Sequence, residues 1–132
     1  MSAGVWLEQA TLNHFFRNTP VVPPSQLFLA LYFSDPTDDD VGAEIQGGAY
    51  TRQIITFSEP VRTAEGGSII FNDTEIRFPV ATSNWGTISH FAIRTAATGG
   101  LMLAHAPVPV PRLIENGDEA KFHSGTLIVR MR

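Results

Sequence analysis

The stretch that decides the fold is ATSNWGTISHFAIRTAATGG, residues 81–100. Its centre, TISHFAIRT (87–95), follows the period of two that is typical of a β-strand. The alternation predicts two faces: Ile88, His90, Ala92 and Arg94 on one, and Ser89, Phe91 and Ile93 on the other. Residues 97–100 predict a hairpin turn, because glycine adopts positive φ at little steric cost. LMLAHA (101–106) is then expected to return as the next strand.

Short strand-like segments continue on both sides of this hairpin. They are separated by turn signals about every ten residues, which is typical of a β-sandwich or barrel. The predicted strands are LFLALYF (27–33), YTRQIITF (50–57), SIIF (68–71), EIRFP (75–79), and a closing hairpin of EAKFH (119–123) and GTLIVRM (125–131). PVPVP (107–111) has three prolines without amide donors, so we expect a sheet edge or an extended connector there.

One helix is predicted, at GVWLEQATLNHFFR (4–17), where Leu7, Ala10 and His14 share a face at helical spacing. The prolines of NTPVVPP (18–24) end it. The sequence therefore predicts an all-β fold of antiparallel sheets, sandwich-like or jelly-roll-like, with one short N-terminal helix. Its 132 residues predict a single domain, 1–132, with a helix or arm at about residues 1–24.

Composition narrows the classes of function. The net charge of −4 disfavours nucleic acid as a partner, since phosphates attract concentrated positive charge. There are no cysteines, so disulfides, thiolate nucleophiles and cysteine-bound metals are excluded. No apolar run approaches the ~20 residues that span a bilayer, and residues 1–17 lack the apolar core of a signal peptide. We expect a soluble protein, made in a cytoplasm, with no membrane partner.

The sequence offers little that resembles a catalytic or metal site. The four histidines form no local metal-binding motif, although His90 and His105 lie on strands expected to pair. The acidic loop 35–44 fails the EF-hand register, with Asp40 at the glycine position and Gln46 at the twelfth. A solvated loop and a calcium site of another type both remain open. Without a G-x-S-x-G turn or a phosphate loop, we expect no enzyme, no cofactor and no metal.

Trp85 admits two interpretations. An exposed indole could stack on a sugar or a base. Alternatively, Trp85 packs at one end of the sandwich while Gly86 lets the chain turn into the next strand. The second interpretation is favoured, because a single tryptophan without neighbouring aromatic residues in the sequence is usually a packing residue.

Several segments together resemble a family of small tailed-phage proteins that carry the label "phage tail fibre protein". They are GGAYTRQ (47–53), FPVATSNWGTISHFAI (78–93), ATGG (97–100), and an ending with Gly117-Asp118 followed by FHSGTLIV (122–129). The resemblance covers nearly the whole chain. It departs from the family pattern at Ser124, where a small alanine is common, and in the proline-rich segment 107–111.

The resemblance implies a structural protein of the virion with no catalytic residues. Because a chain of this length without repeats is a poor fibre, we predict a head decoration (cement) protein that binds the outside of the capsid as an oligomer, with the major capsid protein as partner. The alternative is a tail, tail-fibre or baseplate component that binds other tail proteins, with host glycan as a further candidate partner. The candidate contacts are Trp6, Phe15, Phe16, Arg17, Val108, Val110 and Arg112; the structural signature is Gly47, Gly48, Tyr50, Arg52, Trp85, Gly86, Gly99 and Gly100.

Overall fold

The computed structural model describes all residues from Met1 to Arg132. A single helix, α1 (Val5–Phe16), is followed by strands for most of the chain. The strands are β1 (Ser2–Ala3), β2 (Leu27–Tyr32), β3 (Gln53–Ile55), β4 (Val61–Arg62), β5 (Ser68–Phe71), β6 (Ile76–Arg77), β7 (Gly86–Arg94), β8 (Met102–Ile114), β9 (Lys121–Phe122) and β10 (Ile128–Met131). All the strand pairs are antiparallel.

The stretch at 81–100 builds the centre of the largest sheet. β7 and β8 form the predicted hairpin, with Ala92 opposite His105 and Phe91 opposite Ala106. The five-stranded sheet has the order β1-β8-β7-β2-β3. β8 continues through the proline segment 107–111, where β1 no longer covers its outer side because β1 reaches only Ala104 and His105. The prolines therefore lie along an open sheet edge, where a missing amide donor costs little.

The β2 strand is buried on both faces, as its continuous apolar sequence predicts. Leu29 and Leu31 point into the main core, whereas Ala30 and Tyr32 join Ala92 and Met102 in a second cluster on the opposite face. The main core comprises Leu29, Leu31, Ile45, Ile55, Ile76, Phe78, Ala81, Trp85, Ile88, Phe91, Ile93, Val108, Ile114, Ala120 and Leu127.

A bulge changes the predicted faces of β7. Ile88 pairs with Arg112 but His90 pairs with Pro107, so the register shifts between Ile88 and His90. Only Ser89 separates these residues in β7, whereas four residues, 108–111, separate their partners in β8, and an odd number of extra residues in one strand of a pair reverses the alternation of side chains. Ile88 consequently lies in the main core together with Phe91, and its predicted placement on the face of His90 was wrong.

The two smaller sheets pair strands that are distant in sequence. β6 pairs with β9, and β5 lies between β10 and β4. The predicted closing hairpin of 119–123 with 125–131 was therefore wrong, because β9 and β10 join different sheets. The segment 50–57 contributes only the short strand β3, since residues 47–50 form a turn before it.

The three-stranded sheet of β4, β5 and β10 contributes no buried residue. Register places Ile69, Phe71 and Ile128 on one face and Ile70, Val129 and Met131 on the other. None of these side chains joins either buried cluster. Apolar side chains thus lie on both faces of this small sheet; those of β5 and Val129 are partly buried, whereas Ile128 and Met131 are exposed.

The prediction of an all-β fold with antiparallel sheets and one short N-terminal helix is confirmed. α1 has 12 residues and is too short to cross a membrane, as the structure contains no helix of the length and apolarity that this requires.

Candidate functional site

Trp85 lies at a corner between the start of β7 and the turn 47–50. Its side chain is 3% exposed, and its indole Nε1 donates a 2.8 Å hydrogen bond to the carbonyl oxygen of Gly48. The indole meets the ring of Tyr50 edge to face at 5.5 Å and that of Phe78 at 6.5 Å. A side chain this enclosed presents no face to a sugar or a base.

The turn at Gly47 and Gly48 must be small because it passes close to the indole. Gly48 has a φ of +59°, and a Cβ built there would lie 2.8 Å from Trp85 Nε1 and 2.6 Å from Ser83 Oγ. Gly47 has a φ of +76° but no atom within 4 Å of such a Cβ. The GG pair in GGAYTRQ thus serves two needs: backbone conformation at both positions and close approach at the second.

Tyr50 and Arg52 of GGAYTRQ converge on one carboxylate. The Tyr50 hydroxyl donates a 2.6 Å hydrogen bond to Glu44 Oε2 and accepts one of 3.0 Å from the amide of Leu31. Arg52 donates to both oxygens of Glu44, through Nε at 2.8 Å and Nη2 at 2.7 Å. The pair has the bidentate geometry in which an arginine fork matches a carboxylate.

The same guanidinium reaches the hairpin between β7 and β8. Arg52 Nη1 donates 2.8 Å hydrogen bonds to the carbonyl oxygens of Ala96 and Gly99. Arg94 donates to the carbonyl of Gly100 at 3.0 Å and to that of Gly99 at 3.3 Å. The carbonyls of Gly99 and Gly100 in ATGG therefore accept hydrogen bonds from two arginines, and these hydrogen bonds fix the turn.

Burial and pairing shift the pKa values of this group. Burial alone would raise the pKa of Glu44, but hydrogen bonds from Arg52 and Tyr50, with the charge of Arg52, lower it below its ordinary value. Burial raises the pKa of Tyr50 far above its usual range, and the hydrogen bond to Glu44 is the second largest cause of this increase. The hydrogen bond to Glu44 raises the pKa of Arg52. The carboxylate stays charged and the phenol stays protonated, which suits a fixed structural link.

The acidic loop crosses the second face of the five-stranded sheet. Asp40 Oδ1 lies 2.6 Å from Arg94 Nη1, which also donates to the Tyr32 hydroxyl at 3.0 Å. Burial opposes the charge of Arg94, yet the hydrogen bond to Asp40 and the contacts with Tyr32 raise its pKa. Asp38 Oδ1 lies 2.7 Å from Nε2 of the buried His105. These carboxylates are occupied by basic groups of the sheet beneath them.

The structure does not assemble a metal site from these groups. No set of three or more histidine, aspartate or glutamate side chains is arranged to hold an ion. His90 and His105 are not directly opposite in the β7–β8 register. They approach the same carboxylate, Asp35, at 4.0 and 3.6 Å.

The N-terminal candidate contacts lie on α1, none of whose residues is buried. Phe15 and Phe16 are 74% and 79% exposed, and Arg17 is exposed beside them. Trp6 is half-buried and lines a groove between the helix and the segment 21–24, with Phe15 at its rim. The helix is tied to the acidic loop by a 2.9 Å hydrogen bond from the amide of Val5 to the carbonyl of Asp38.

The second set of candidate contacts lies along β8. Val110 and Arg112 are exposed, but Val108 is 8% exposed and packs in the main core. Val108 therefore presents little surface to a partner, although it also lines the groove described next.

An apolar groove separates β8 from β9 and was not predicted from the sequence. Its volume is about 320 Å³, and it is lined by side chains from both strands, including Val108, Val110, Arg112, Lys121, Phe122 and His123. The sequence shows these residues as two separate segments, and they come together only in the folded chain.

Nothing in the sequence beyond the Asn72-Asp73 turn signal indicates the role of Asn72. Asn72 is fully buried, and its amide donates to the carbonyls of Thr74 and His123 at 3.0 and 2.9 Å. Its Oδ1 accepts a 2.9 Å hydrogen bond from the amide of Leu127. Asn72 thereby joins the end of β5 to the chain between β9 and β10. An Asn-Asp pair is a turn signal, which identified the turn but not its long-range partners.

Comparison with known proteins identifies the family. The family model described as "Podophage GP4 fiber I protein gp80" matches residues 2–130. No curated protein sequence matches the chain. The family description names a fibre, so it supports the tail-fibre resemblance and gives no support to the head-decoration prediction. The chain belongs to this family of podophage fibre proteins and is a phage structural protein associated with the virion.

Proposed function

We propose that this protein is a non-enzymatic component of the tail fibre of a podophage and works by binding other virion proteins. The observation that carries the proposal is the family match, which extends over residues 2–130. The internal polar groups are consistent with a scaffold, because Glu44, Arg52 and Arg94 hold loops and turns together.

A tail location is favoured over the head. The decoration hypothesis rested on the short length and the lack of repeats, which describe one chain and not the assembly it joins. A fibre can be built from several short proteins, and a compact domain at its base or along its shaft needs no repeat. The word fibre in the family description supports that arrangement.

The surfaces available for assembly lie at two places. Leu12, Phe15 and Phe16 of α1 are 57%, 74% and 79% exposed, which is unusual for a cluster of large apolar side chains. The small sheet of β4, β5 and β10 exposes the apolar side chains of Val61, Ile128 and Met131 by 50%, 42% and 68%. We propose that α1 binds a neighbouring tail protein and that the small sheet mediates homo-oligomer formation.

The location can be tested by labelling virions with an antibody against this chain and imaging them by electron microscopy. The proposal expects gold particles on tail fibres and none over the head. An antibody against the major capsid protein is the control for access to the head. Labelling over the capsid, or ordered density for this chain on the capsid lattice by cryo-microscopy, would contradict the proposal and restore the decoration hypothesis.

A further inference from the structure

The groove between β8 and β9 has the dimensions of a small-ligand site. Its volume of about 320 Å³ lies at the lower end of the range of about 300–1,000 Å³ typical of such sites. Its apolar surface comes from Val108, Val110 and Phe122, and its charged groups are Arg112 and Lys121. It is separate from the Glu44–Arg52 network and from the groove beside α1.

The two cations of this groove have no carboxylate within 4 Å, and neither makes a side-chain hydrogen bond in the structure. The nearby carboxylates are engaged elsewhere: Glu75 pairs with Arg77 and His123, and Glu119 pairs with Arg77. The chain as a whole has a net charge of −4. This groove, in contrast, carries two unpaired positive side chains beside an apolar surface.

This combination favours a ligand with an anionic group on an otherwise compact and partly apolar body. The planar guanidinium of Arg112 can bind a carboxylate or phosphate through two parallel hydrogen bonds, and Lys121 supplies a second positive charge. Phe122 and Val110 offer apolar surface to the C–H face of a ring. An uncharged ligand would leave the cations unused, and a simple inorganic anion would leave the apolar surface unused.

We propose that the groove binds an acidic saccharide, through Arg112 and Lys121 to the anionic group and through Phe122 and Val110 to the sugar ring. The inference rests on the proposed function, because a fibre on the tail would present this groove to the saccharides of the host surface. It also moves the glycan-binding hypothesis from Trp85, which is enclosed, to a surface that is open.

The test is an NMR titration of the ¹⁵N-labelled full chain with galacturonic acid, galactose 6-phosphate and galactose in parallel. We expect at least one acidic sugar to shift the amide resonances of Arg112, Lys121 and Phe122, and galactose to leave them in place at the same concentrations. The two acidic sugars distinguish a carboxylate from a phosphate as the anionic group.

Variants then assign the binding to the groove. Arg112→Gln and Lys121→Gln are each expected to weaken binding about tenfold, the loss typical of one charge-assisted hydrogen bond. Arg62→Gln is the matched control, since Arg62 is an exposed arginine on β4, outside the groove, and like Arg112 it makes no ion pair. Spectra that overlay with the wild type away from the groove establish that each variant is folded.

Three results would overturn the inference: no shift with either acidic sugar, equal shifts with galactose, or equal weakening by Arg62→Gln. The proposed function is tested independently by the labelling of virions. If the antibody labels the tail but the chain binds no acidic sugar, the proposed function stands and the saccharide site is rejected. If the chain binds the sugar but the antibody labels the head, the saccharide site stands and the proposed function is rejected.

Discussion

At the scale of single residues, the segments that resemble the phage family, GGAYTRQ, the stretch around Trp85 and ATGG, contact one another in the folded chain. The carbonyl of Gly48 accepts the indole hydrogen bond of Trp85, and Tyr50 packs against the same ring. Arg52 then connects Glu44 to the turn after β7. Residues that are dispersed in the sequence thus form one continuous set of contacts, and its members fix each other's positions.

The glycine pair provides a controlled test of this packing. Gly47→Ala is expected to cost about 1 kcal/mol, because alanine is strained at positive φ. Gly48→Ala should cost about 1–3 kcal/mol more, since its Cβ would also collide with Ser83 Oγ and Trp85 Nε1. Urea unfolding of the two variants measures the difference. Equal losses would show that conformation alone, and not the approach of the indole, requires glycine at position 48.

The Glu44 carboxylate gives stability a dependence on pH. Its pKa in the folded protein is lowered from an ordinary value of 4.5, so its contribution is complete above that pH and is lost as the pH falls through the folded pKa. Glu44→Gln should therefore be less stable than the wild type by about 2 kcal/mol at pH 7, with a gap that narrows below pH 4.5.

The measurement is the free energy of unfolding in urea between pH 7 and pH 3. Glu59→Gln is the matched control, because Glu59 is exposed and its carboxylate makes no hydrogen bond or ion pair in the structure. It should leave the pH profile unchanged. A gap between Glu44→Gln and the wild type that stays constant down to pH 3 would rule out the ionised Glu44 as the stabilising species.

At the scale of elements, the acidic loop acts as a cover for the second face of the five-stranded sheet. Its carboxylates pair with Arg94 and His105, both of which are buried. Removing one partner of such a pair leaves a charge without compensation in a site that excludes water. The loop is therefore expected to add stability through specific pairs and not through its overall charge.

Neighbouring aspartates test this role of the loop. Asp40→Asn should cost about 2 kcal/mol, less than a fully buried pair, because 35% of the Asp40 side chain is exposed; asparagine keeps a residue type that tolerates the positive φ at this position. Asp39→Asn is the control, since the Asp39 carboxylate is exposed and pairs with no basic side chain of the sheet. Thermal unfolding should separate the two variants clearly. Similar melting temperatures for both would mean that only the net charge of the loop matters.

The same pairs predict the response to calcium. Because Asp38 and Asp40 already bind His105 and Arg94, adding calcium or a chelator should leave the melting temperature of the wild type unchanged. A rise in melting temperature with calcium that Asp38→Ala and Asp40→Ala abolish would instead establish a calcium site in the loop.

The sequence predicts elements where the signal is local. The alternation in 87–95, the glycines after it and the prolines after α1 are each decided by neighbouring residues, and the corresponding strand, turn and helix end are observed. Strand pairing is decided by residues far apart, so the partners of β9 and β10 were missed. The bulge near His90 arises where β7 pairs with β8, and no periodic pattern of residues in the sequence marks its position.

The candidate site shows the same limit. Tyr50 and Arg52 stand out in the sequence, but their partner Glu44 lies in a loop whose acidic residues look alike. The groove at Arg112 and Lys121 is formed by strands that share no local pattern. Charge and composition identify which residues are able to pair, whereas the fold determines which of them do.

At the scale of the whole molecule, most sheet edges are short or blocked. The outer side of β8 carries Pro107, Pro109 and Pro111, and β4 follows Pro60. β10 (Ile128–Met131) is different: it is an edge strand without proline, and it carries an exposed apolar side chain on each face, Ile128 and Met131. An open edge of this kind favours pairing with another chain, and antiparallel pairing of two identical edges is compatible with a two-fold axis.

The proposed oligomer can therefore be separated into subunits by changing β10. Ile128 and Met131 are 42% and 68% exposed, and register places them on opposite faces of the small sheet. The double variant Ile128→Lys, Met131→Lys puts one charge on each face, so we expect it to sediment as a monomer while the wild type sediments as an oligomer.

The control is the double variant Val41→Lys, Ile54→Lys. It adds the same charge at apolar side chains that are 70% and 53% exposed outside this sheet, and it should remain oligomeric. A wild type that stays monomeric across the accessible concentrations, or a control variant that dissociates equally, would contradict self-association through β10. An unchanged circular dichroism spectrum for both variants would show that the difference lies in assembly, because neither pair of side chains contributes to the buried core.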